Sequence, residues 1–127
     1  MFYRIILTVF LTHLPSTVPL VDANPIRYVA IGDSYTVATG IEEKDSWPSQ
    51  LTQKLKSAGI EINLIEILGM KGATSQQTLN EVMPLLKNLK PGLITLLIGV
   101  NDWTGEGISS SKFKKRIKNL IDKIQSN

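Results

Sequence analysis

Cysteine is absent from this chain of 127 residues, and histidine occurs only once, as His13. The absence of cysteine excludes disulfide bonds, thiolate nucleophiles and cysteine-ligated metal sites. Neither a Gly-x-Gly-x-x-Gly motif nor a P-loop occurs, which argues against a nucleotide-binding domain. No residue pattern indicates a metal or another cofactor, and we predict neither.

The chain has little excess charge, since the formal net charge is only +3, and six of the basic residues lie within residues 112–123. A basic helix can bind nucleic acid or an anionic membrane. Apolar residues recur in this stretch at helical spacing: Phe113, Ile117, Leu120, Ile121 and Ile124. The pattern is typical of a helix with one face in the core and its lysines in solvent. The single aromatic residue of the stretch belongs to that apolar stripe, so we predict no stacking platform and no nucleic-acid partner.

Residues 1–23 have the pattern of a secretory signal peptide. Arg4 gives a positive start, residues 5–14 are mostly apolar, and residues 21–23 offer short side chains at a cleavage site. The apolar run is too short to span a bilayer. We predict a secreted or periplasmic protein that begins at residue 24, with no membrane span and no histidine. The alternative is an N-terminal extension of a cytoplasmic protein.

Strand and helix signals alternate along residues 24–127, which form one domain. Apolar runs predict strands over residues 26–31, 60–69 and 93–98. Helical spacing and caps predict helices over residues 45–58, 75–87 and 111–124. Pro84 is expected to kink or divide the second helix. Strands that alternate with helices imply a parallel sheet with right-handed crossovers.

The second strand alternates between apolar and polar residues, which places it at an edge of the sheet. The strand order is then 2-1-3, the start of a three-layer, flavodoxin-like α/β fold. Residues 93–98 carry no charge, so both faces of this strand should be buried. The order nevertheless leaves the strand at the other edge. We therefore interpret the chain as a truncated domain, and we expect possible self-association through this edge.

Each predicted strand ends in a polar or glycine-containing turn, over residues 32–34, 69–74 and 99–102. In a 2-1-3 sheet these turns meet at one rim. A serine hydroxyl, a free backbone N–H and an asparagine amide would converge there. These groups are typical of acyl transfer, in which a serine attacks a carbonyl and preorganised donors stabilise the oxyanion. Taken alone, the tripeptide at 32–34 is more typical of a plain turn or helix cap than of a catalytic serine.

The three turns together resemble the sequence blocks of the SGNH, or GDSL, family of serine esterases and lipases. Residues 32–34 match the first block, with Tyr35 where leucine is usual. Gly72 matches the second block, and residues 99–102 match the Gly-x-Asn-Asp block. The resemblance covers about residues 26–124, and the three blocks occur in the family's order.

The resemblance implies a role for each matched residue. Ser34 would be the catalytic nucleophile, and its own N–H would donate to the oxyanion. The N–H of Gly72 and the side chain of Asn101 would be the other donors of the oxyanion hole. Asp33 and Asp102 would brace their turns through backbone hydrogen bonds rather than take part in the chemistry.

Two aromatic residues, Tyr35 and Trp103, lie next to these blocks in the sequence. They could line a substrate groove, and ordinary packing at the rim is the alternative.

One block of the family is missing. Its base and its orienting acid come from an Asp-x-x-His block near the C-terminus, and this sequence has none. Serine is a poor nucleophile without a base. We expect a partial SGNH hydrolase domain over residues 24–127, an ester hydrolase for small-molecule carboxylic esters that lacks its base. The alternative is a non-catalytic module of the same fold that binds carbohydrate or acyl groups.

Overall fold

A computed structural model describes residues 24–126, and the predicted signal peptide lies outside these residues. The elements follow one another as β1 (Ile26–Gly32), α1 (Trp47–Ser57), β2 (Ile62–Gly69), α2 (Ser75–Gln77), α3 (Met83–Leu86), β3 (Leu93–Leu97), α4 (Val100–Thr104) and α5 (Ser110–Gln125). A 3-10 turn over Glu43–Asp45 precedes α1, and a π-helical segment over Thr78–Val82 joins α2 to α3.

The three strands form one parallel sheet in the order β2-β1-β3. The central strand β1 pairs along its whole length with β2, and from Tyr28 onward with β3. Its residues Tyr28, Val29, Ala30 and Ile31 are fully buried, which explains why this strand is a continuous apolar run. The predicted fold class and strand order are confirmed.

β2 begins two residues later than its alternation predicts and contains an irregularity. The backbone N–H of Ile60 donates to Leu55 O and so completes the end of α1, which leaves Ile60 outside the strand. Within the sheet, Tyr28 lies opposite Leu64 but Val29 lies opposite Glu66. Ile65 is therefore an extra residue in β2, a β-bulge that shifts the face on which the later side chains lie.

Helices cover both faces of the sheet, which gives the three predicted layers. Ser46 caps α1 by accepting a hydrogen bond from the Ser49 N–H at 3.3 Å. α1 covers Tyr28, Ala30 and Ile62 on one face. The other face packs against the π-helical segment, α3 and α5 in a core of Val29, Ile31, Leu68, Val82, Met83, Leu86 and Leu120. Among residues 24–126, no helix has the length and apolar character needed to cross a membrane.

Pro84 divides the second predicted helix, as expected. Proline has no N–H, so it cannot continue the ladder of an α-helix. Immediately before it, the N–H of Met83 donates to Thr78 O, five residues back, and the helix widens to π geometry over Thr78–Val82. The helix resumes as α3 beyond this widened turn.

The prediction that both faces of β3 are buried is wrong for the described residues. Its residues are only partly buried, and Leu97 is 47% exposed. β3 lies at the sheet edge, and α5 packs chiefly against α2 and the π-helical segment rather than against β3. The strand therefore has apolar side chains without the cover that its composition suggests.

Candidate active site

The carboxyl ends of the three strands approach one another closely at one rim of the sheet. Gly32 and Gly69 are paired residues at the ends of β1 and β2. A Cβ atom at Gly69 would collide with the Gly32 carbonyl oxygen, and one at Gly32 would collide with Leu97 O of β3 and the Thr36 hydroxyl. Glycine is required at both positions because the turns that follow them lie against each other.

The first turn presents Ser34 at the end of β1. Its buried neighbour Asp33 accepts a hydrogen bond from the Tyr35 N–H to Oδ1 at 3.0 Å. The carbonyl oxygen of Asp33 accepts from the N–H groups of Thr36 and Val37 at 2.9 and 3.0 Å. Ser34 is half-buried. The hydrogen bonds of residues 24–126 include none from its Oγ or its N–H.

The second turn presents Gly72, which has a φ of +76° and is exposed. A positive φ favours glycine at this position. The N–H of Gly72 has no acceptor within residues 24–126. A capping box stabilises the start of the helix that follows this turn. The Thr74 side chain accepts a hydrogen bond from the Gln77 N–H, and the Gln77 side chain accepts one from the Thr74 N–H.

The side-chain amide of Asn101 joins all three turns. Asn101 lies in α4, two residues after Gly99, the residue that precedes this helix. Its Nδ2 donates to Ala73 O at 2.9 Å and reaches Asp33 Oδ2 at 3.4 Å. The second distance is beyond the usual range of an N–H···O bond, so that amide hydrogen is only weakly engaged.

Asp102 also holds the rim together, through hydrogen bonds and an ion pair. Its buried carboxylate accepts from the Ser75 N–H at 2.7 Å and from the Ser75 hydroxyl. The Arg116 guanidinium of α5 donates to Asp102 at 3.1 Å and to Glu106 at 2.6 Å. These bonds, that to Glu106 above all, raise the pKa of Arg116. Asp102 thus connects the second turn, the third turn and α5.

Ser75 and Arg116 are the residues that sequence reasoning missed. The sequence pattern gives Arg116 no partner, but its side chain is only 13% exposed and is ion-paired. The sequence did contain a signal. Arg116 lies three residues after Phe113 and four before Leu120, and residues at these spacings share one face of a helix.

The side chains of Tyr35 and Trp103 are exposed beside the site. Their exposed fractions are 66% and 69%, so neither ring is packed into the rim by the described residues. One follows Ser34 directly and the other lies two residues after Asn101 in α4. Both rings are therefore available to contact a bound molecule.

The described residues bring together a serine and hydrogen-bond donors, but they contain no histidine. No histidine occurs after His13. The Asp33 carboxylate is hydrogen-bonded to Tyr35, and that of Asp102 to Ser75 and Arg116. Within residues 24–126, no group of three or more His, Cys, Asp or Glu side chains could hold a metal ion.

Comparison with known proteins agrees with this arrangement. The model of the GDSL-like lipase/acylhydrolase family matches residues 30–127. Esterase TesA of Pseudomonas aeruginosa is 24% identical over 98 residues, which are 77% of this chain and 48% of that protein.

Solved structures show the same fold. AlinE4, an SGNH-hydrolase family esterase, is 24% identical and superposes with a TM-score of 0.70 over 82% of this chain and 55% of its own. Esterase EstA from Pseudoalteromonas sp. is 25% identical, with a TM-score of 0.68 over 80% of this chain and 54% of its own. The chain thus spans about half the length of the relatives that it matches.

Proposed function

Because the chain belongs to the GDSL-like lipase/acylhydrolase family, we propose that the rim of its sheet is the acyl-transfer site of an ester hydrolase, with Ser34 as the nucleophile. Ser34 Oγ attacks the carbonyl carbon of a carboxylic ester and gives up its proton to water or to an added base. The tetrahedral intermediate expels the alcohol, which takes up a proton, and leaves an acyl group on Ser34. Water then hydrolyses this second ester and releases the acid.

The observation that carries the proposal is the position of the Asn101 amide. It bonds to Ala73 O beside Gly72 and reaches the carboxylate of Asp33 beside Ser34, so it brings the three matched blocks to one point. Its weakly engaged hydrogen is available for an oxyanion. The N–H groups of Ser34 and Gly72, which have no acceptor among the described residues, are the other two donors. One such donor is worth roughly 3 to 4 kcal/mol in the reaction barrier.

The base that activates Ser34 is not supplied by residues 24–127, which contain no histidine. In triad enzymes, removal of the catalytic residues still leaves about 10³- to 10⁴-fold acceleration over water, from the oxyanion hole and binding. We propose that these residues alone hydrolyse esters weakly for this reason. The same lack of a base favours the second candidate, a non-catalytic module that binds a carbohydrate or acyl group between Tyr35 and Trp103.

Hydrolysis of p-nitrophenyl acetate with and without imidazole tests the proposal, because imidazole is a soluble base of the missing type. Above the rate of the same imidazole solution without protein, we expect an increment that is absent in Ser34→Ala and reduced about 10²- to 10³-fold in Asn101→Ala. Free imidazole also cleaves this ester, and the Ser34→Ala protein measures that background. Equal rates in the wild-type and Ser34→Ala proteins at every imidazole concentration would exclude catalysis by Ser34 and leave the binding module.

We further propose that residues 1–23 direct the chain to the periplasm or the outside of the cell, on the sequence pattern alone. Expression in a bacterial host should then yield an exported protein with Asn24 at its N-terminus. Recovery of the chain in the cytosol with Met1 intact would contradict this proposal.

A further inference from the structure

Arg116 of α5 holds a buried carboxylate that lies next to Asn101 in the chain. Its Nη1 donates to Asp102 Oδ1 at 3.1 Å and to Glu106 Oε2 at 2.6 Å. The side chains of Arg116 and Asp102 are 13% and 1% exposed, so this ion pair is largely shielded from water. Among the described residues, no hydrogen bond joins Arg116 to a proposed oxyanion donor. Any effect of Arg116 on the site therefore passes through Asp102.

The Asp102 carboxylate ties α4 to the second turn. Its Oδ2 accepts from the Ser75 N–H at 2.7 Å, and its Oδ1 accepts from the Ser75 hydroxyl. Asn101, the preceding residue, donates from Nδ2 to Ala73 O at 2.9 Å. Two adjacent residues of α4 are thus bonded to Ala73 and Ser75, which follow Gly72 closely in the chain. The position of Asp102 therefore helps to set the separation of the Asn101 amide from the Gly72 N–H.

α5 contacts α4 and its N-terminal cap on both sides of Asn101. On one side the Phe113 ring lies beside Gly99, where a Cβ atom would come within 2.7 Å of it. On the other side Arg116, one helical turn after Phe113, pairs with Asp102. The ring only fills space, whereas the charge-assisted hydrogen bonds of the guanidinium are directional. Arg116 is therefore the contact that can orient the Asp102 carboxylate.

We propose that Arg116 is a positioning residue for the oxyanion hole, a role that rests on the proposed function of the rim. Through Asp102 it fixes the separation of the donors on the second and third turns. A buried ion pair adds little net stability compared with apolar side chains of the same volume, but its hydrogen bonds fix the arrangement of the groups that it joins. Without Arg116, the buried Asp102 carboxylate keeps only Ser75 as a side-chain partner, and we expect it to turn toward water.

Such a role has a kinetic signature. Oxyanion donors act on the transition state, so their misplacement slows the chemical step and leaves binding of the ester unchanged. A displacement of about 1 Å can cost about 10²-fold. In Arg116→Met we therefore expect the maximal rate of Ser34 acetylation by p-nitrophenyl acetate to fall about ten- to a hundredfold. The ester concentration that gives half of that rate should not change. Peptide mass spectrometry measures both quantities.

Two further variants at this pair separate position from charge. Arg116→Lys should recover most of the lost rate, because both bonds of Arg116 come from one nitrogen and an ammonium group also donates more than once. Arg116→Met combined with Asp102→Asn leaves no unpaired charge buried, so it should fold even where the single variant does not. We expect it to acetylate Ser34 slowly, whereas a wild-type rate would show that Arg116 only neutralises Asp102.

Two controls test other consequences of removing an arginine or an ion pair. Arg27→Met removes a guanidinium that donates twice to Leu89 O, at 3.1 and 2.9 Å, near the start of β1 and so at the opposite end of this strand from Ser34. Glu106→Gln removes the other ion pair of Arg116 and leaves that with Asp102. Both controls should acetylate Ser34 as the wild type does.

Amide signals in a ¹⁵N-correlated NMR spectrum provide a readout that does not require activity. The side-chain amide of Asn101 is identified by its loss in Asn101→Ala. We expect this signal and the backbone N–H of Ser75 to shift in Arg116→Met and in the double variant, and to stay in place in Arg27→Met. The same spectra show whether each variant is folded.

The results distinguish this proposal from the proposed function. Absence of a Ser34 label in the wild type would refute the nucleophile, and the amide signals would then test Arg116 by themselves. Unshifted signals of Asn101 and Ser75 in Arg116→Met, or in the double variant where the single variant is unfolded, would overturn the positioning role. So would a wild-type acetylation rate in either of these variants, an equal loss of rate in Glu106→Gln or Arg27→Met, or a change confined to the half-saturating ester concentration.

Discussion

At the scale of single residues, the rim depends on side chains that each hold more than one turn. Asn101 reaches both Ala73 O and Asp33, and Asp102 holds both Ser75 and Arg116. Buried polar groups are stable only when such bonds satisfy them. The positions of the candidate oxyanion donors are thus set by the same bonds that stabilise the fold.

Tyr28 gives the fold a dependence on alkaline pH. Burial raises the pKa of its hydroxyl above the ordinary value of 10.0, and the hydrogen bond to Thr95 opposes this only in part. The folded state therefore disfavours the phenolate. The corresponding stability is complete below the unfolded pKa, about 10, and is lost as the pH rises toward the folded pKa.

We expect the free energy of unfolding to decline above about pH 10, with at most about 1.4 kcal/mol lost per pH unit from this one proton. Tyr28→Phe should remove this part of the decline, at a cost of about 1 kcal/mol at neutral pH for the lost hydrogen bond. Urea titrations of both proteins between pH 7 and 11 measure the difference. If the free energy of unfolding falls equally with pH in both proteins above about pH 10, Tyr28 does not cause the decline.

At the scale of elements, the contact between the start of α4 and α5 fixes the third turn. Gly99 has a φ of +130°, and a Cβ atom there would come within 2.7 Å of the Phe113 ring. Gly99 therefore serves two purposes, since it permits this backbone angle and makes room for the ring. The contact sets where α4 starts, and so where Asn101 stands.

Replacement of Gly99 by alanine should destabilise the protein by more than backbone strain alone, which is roughly 1 to 3 kcal/mol. Gly107→Ala is the matched control, because Gly107 also has a positive φ, +61°, but its Cβ would meet open space. We expect the melting temperature to fall further in Gly99→Ala than in Gly107→Ala. Equal falls in melting temperature would mean that the Phe113 ring moves aside without lowering the stability.

Several elements could be predicted from the sequence because their signals are local. β1 is an apolar run that ends in glycine, Ser46 and Ser109 cap the helices that follow them, and Pro84 interrupts the second helix. The meeting of the three turns followed from the strand order. Local signals sufficed wherever one segment determines its own geometry.

Other features depend on contacts between distant segments and escaped prediction. Ion pairing of Arg116 with Asp102 requires the position of α5 relative to α4, which no local pattern contains. The bulge at Ile65 comes from the pairing of β2 with β1. The partial burial of β3 was missed because its composition resembles that of a central strand, whereas exposure depends on which elements lie beside it.

At the scale of the whole molecule, the described residues form a folded domain whose sheet rim carries the proposed acyl-transfer site. Family membership shows the class of protein, and the relatives matched are about twice as long. The central claim concerns what this domain can do itself. With the proposed oxyanion donors but no histidine in residues 24–127, both acylation and deacylation should be slow, so an acyl group transferred from an activated ester should remain on Ser34.

Peptide mass spectrometry after exposure to p-nitrophenyl acetate locates that acyl group directly. We expect one acetyl group on the peptide that contains Ser34, formed faster than acetylation of the exposed lysines. In Ser34→Ala this label should vanish while the lysine labels remain, and in Asn101→Ala it should form about 10²- to 10³-fold more slowly. Acetylation confined to lysines, at equal rates in the wild-type and Ser34→Ala proteins, would contradict Ser34 as the nucleophile.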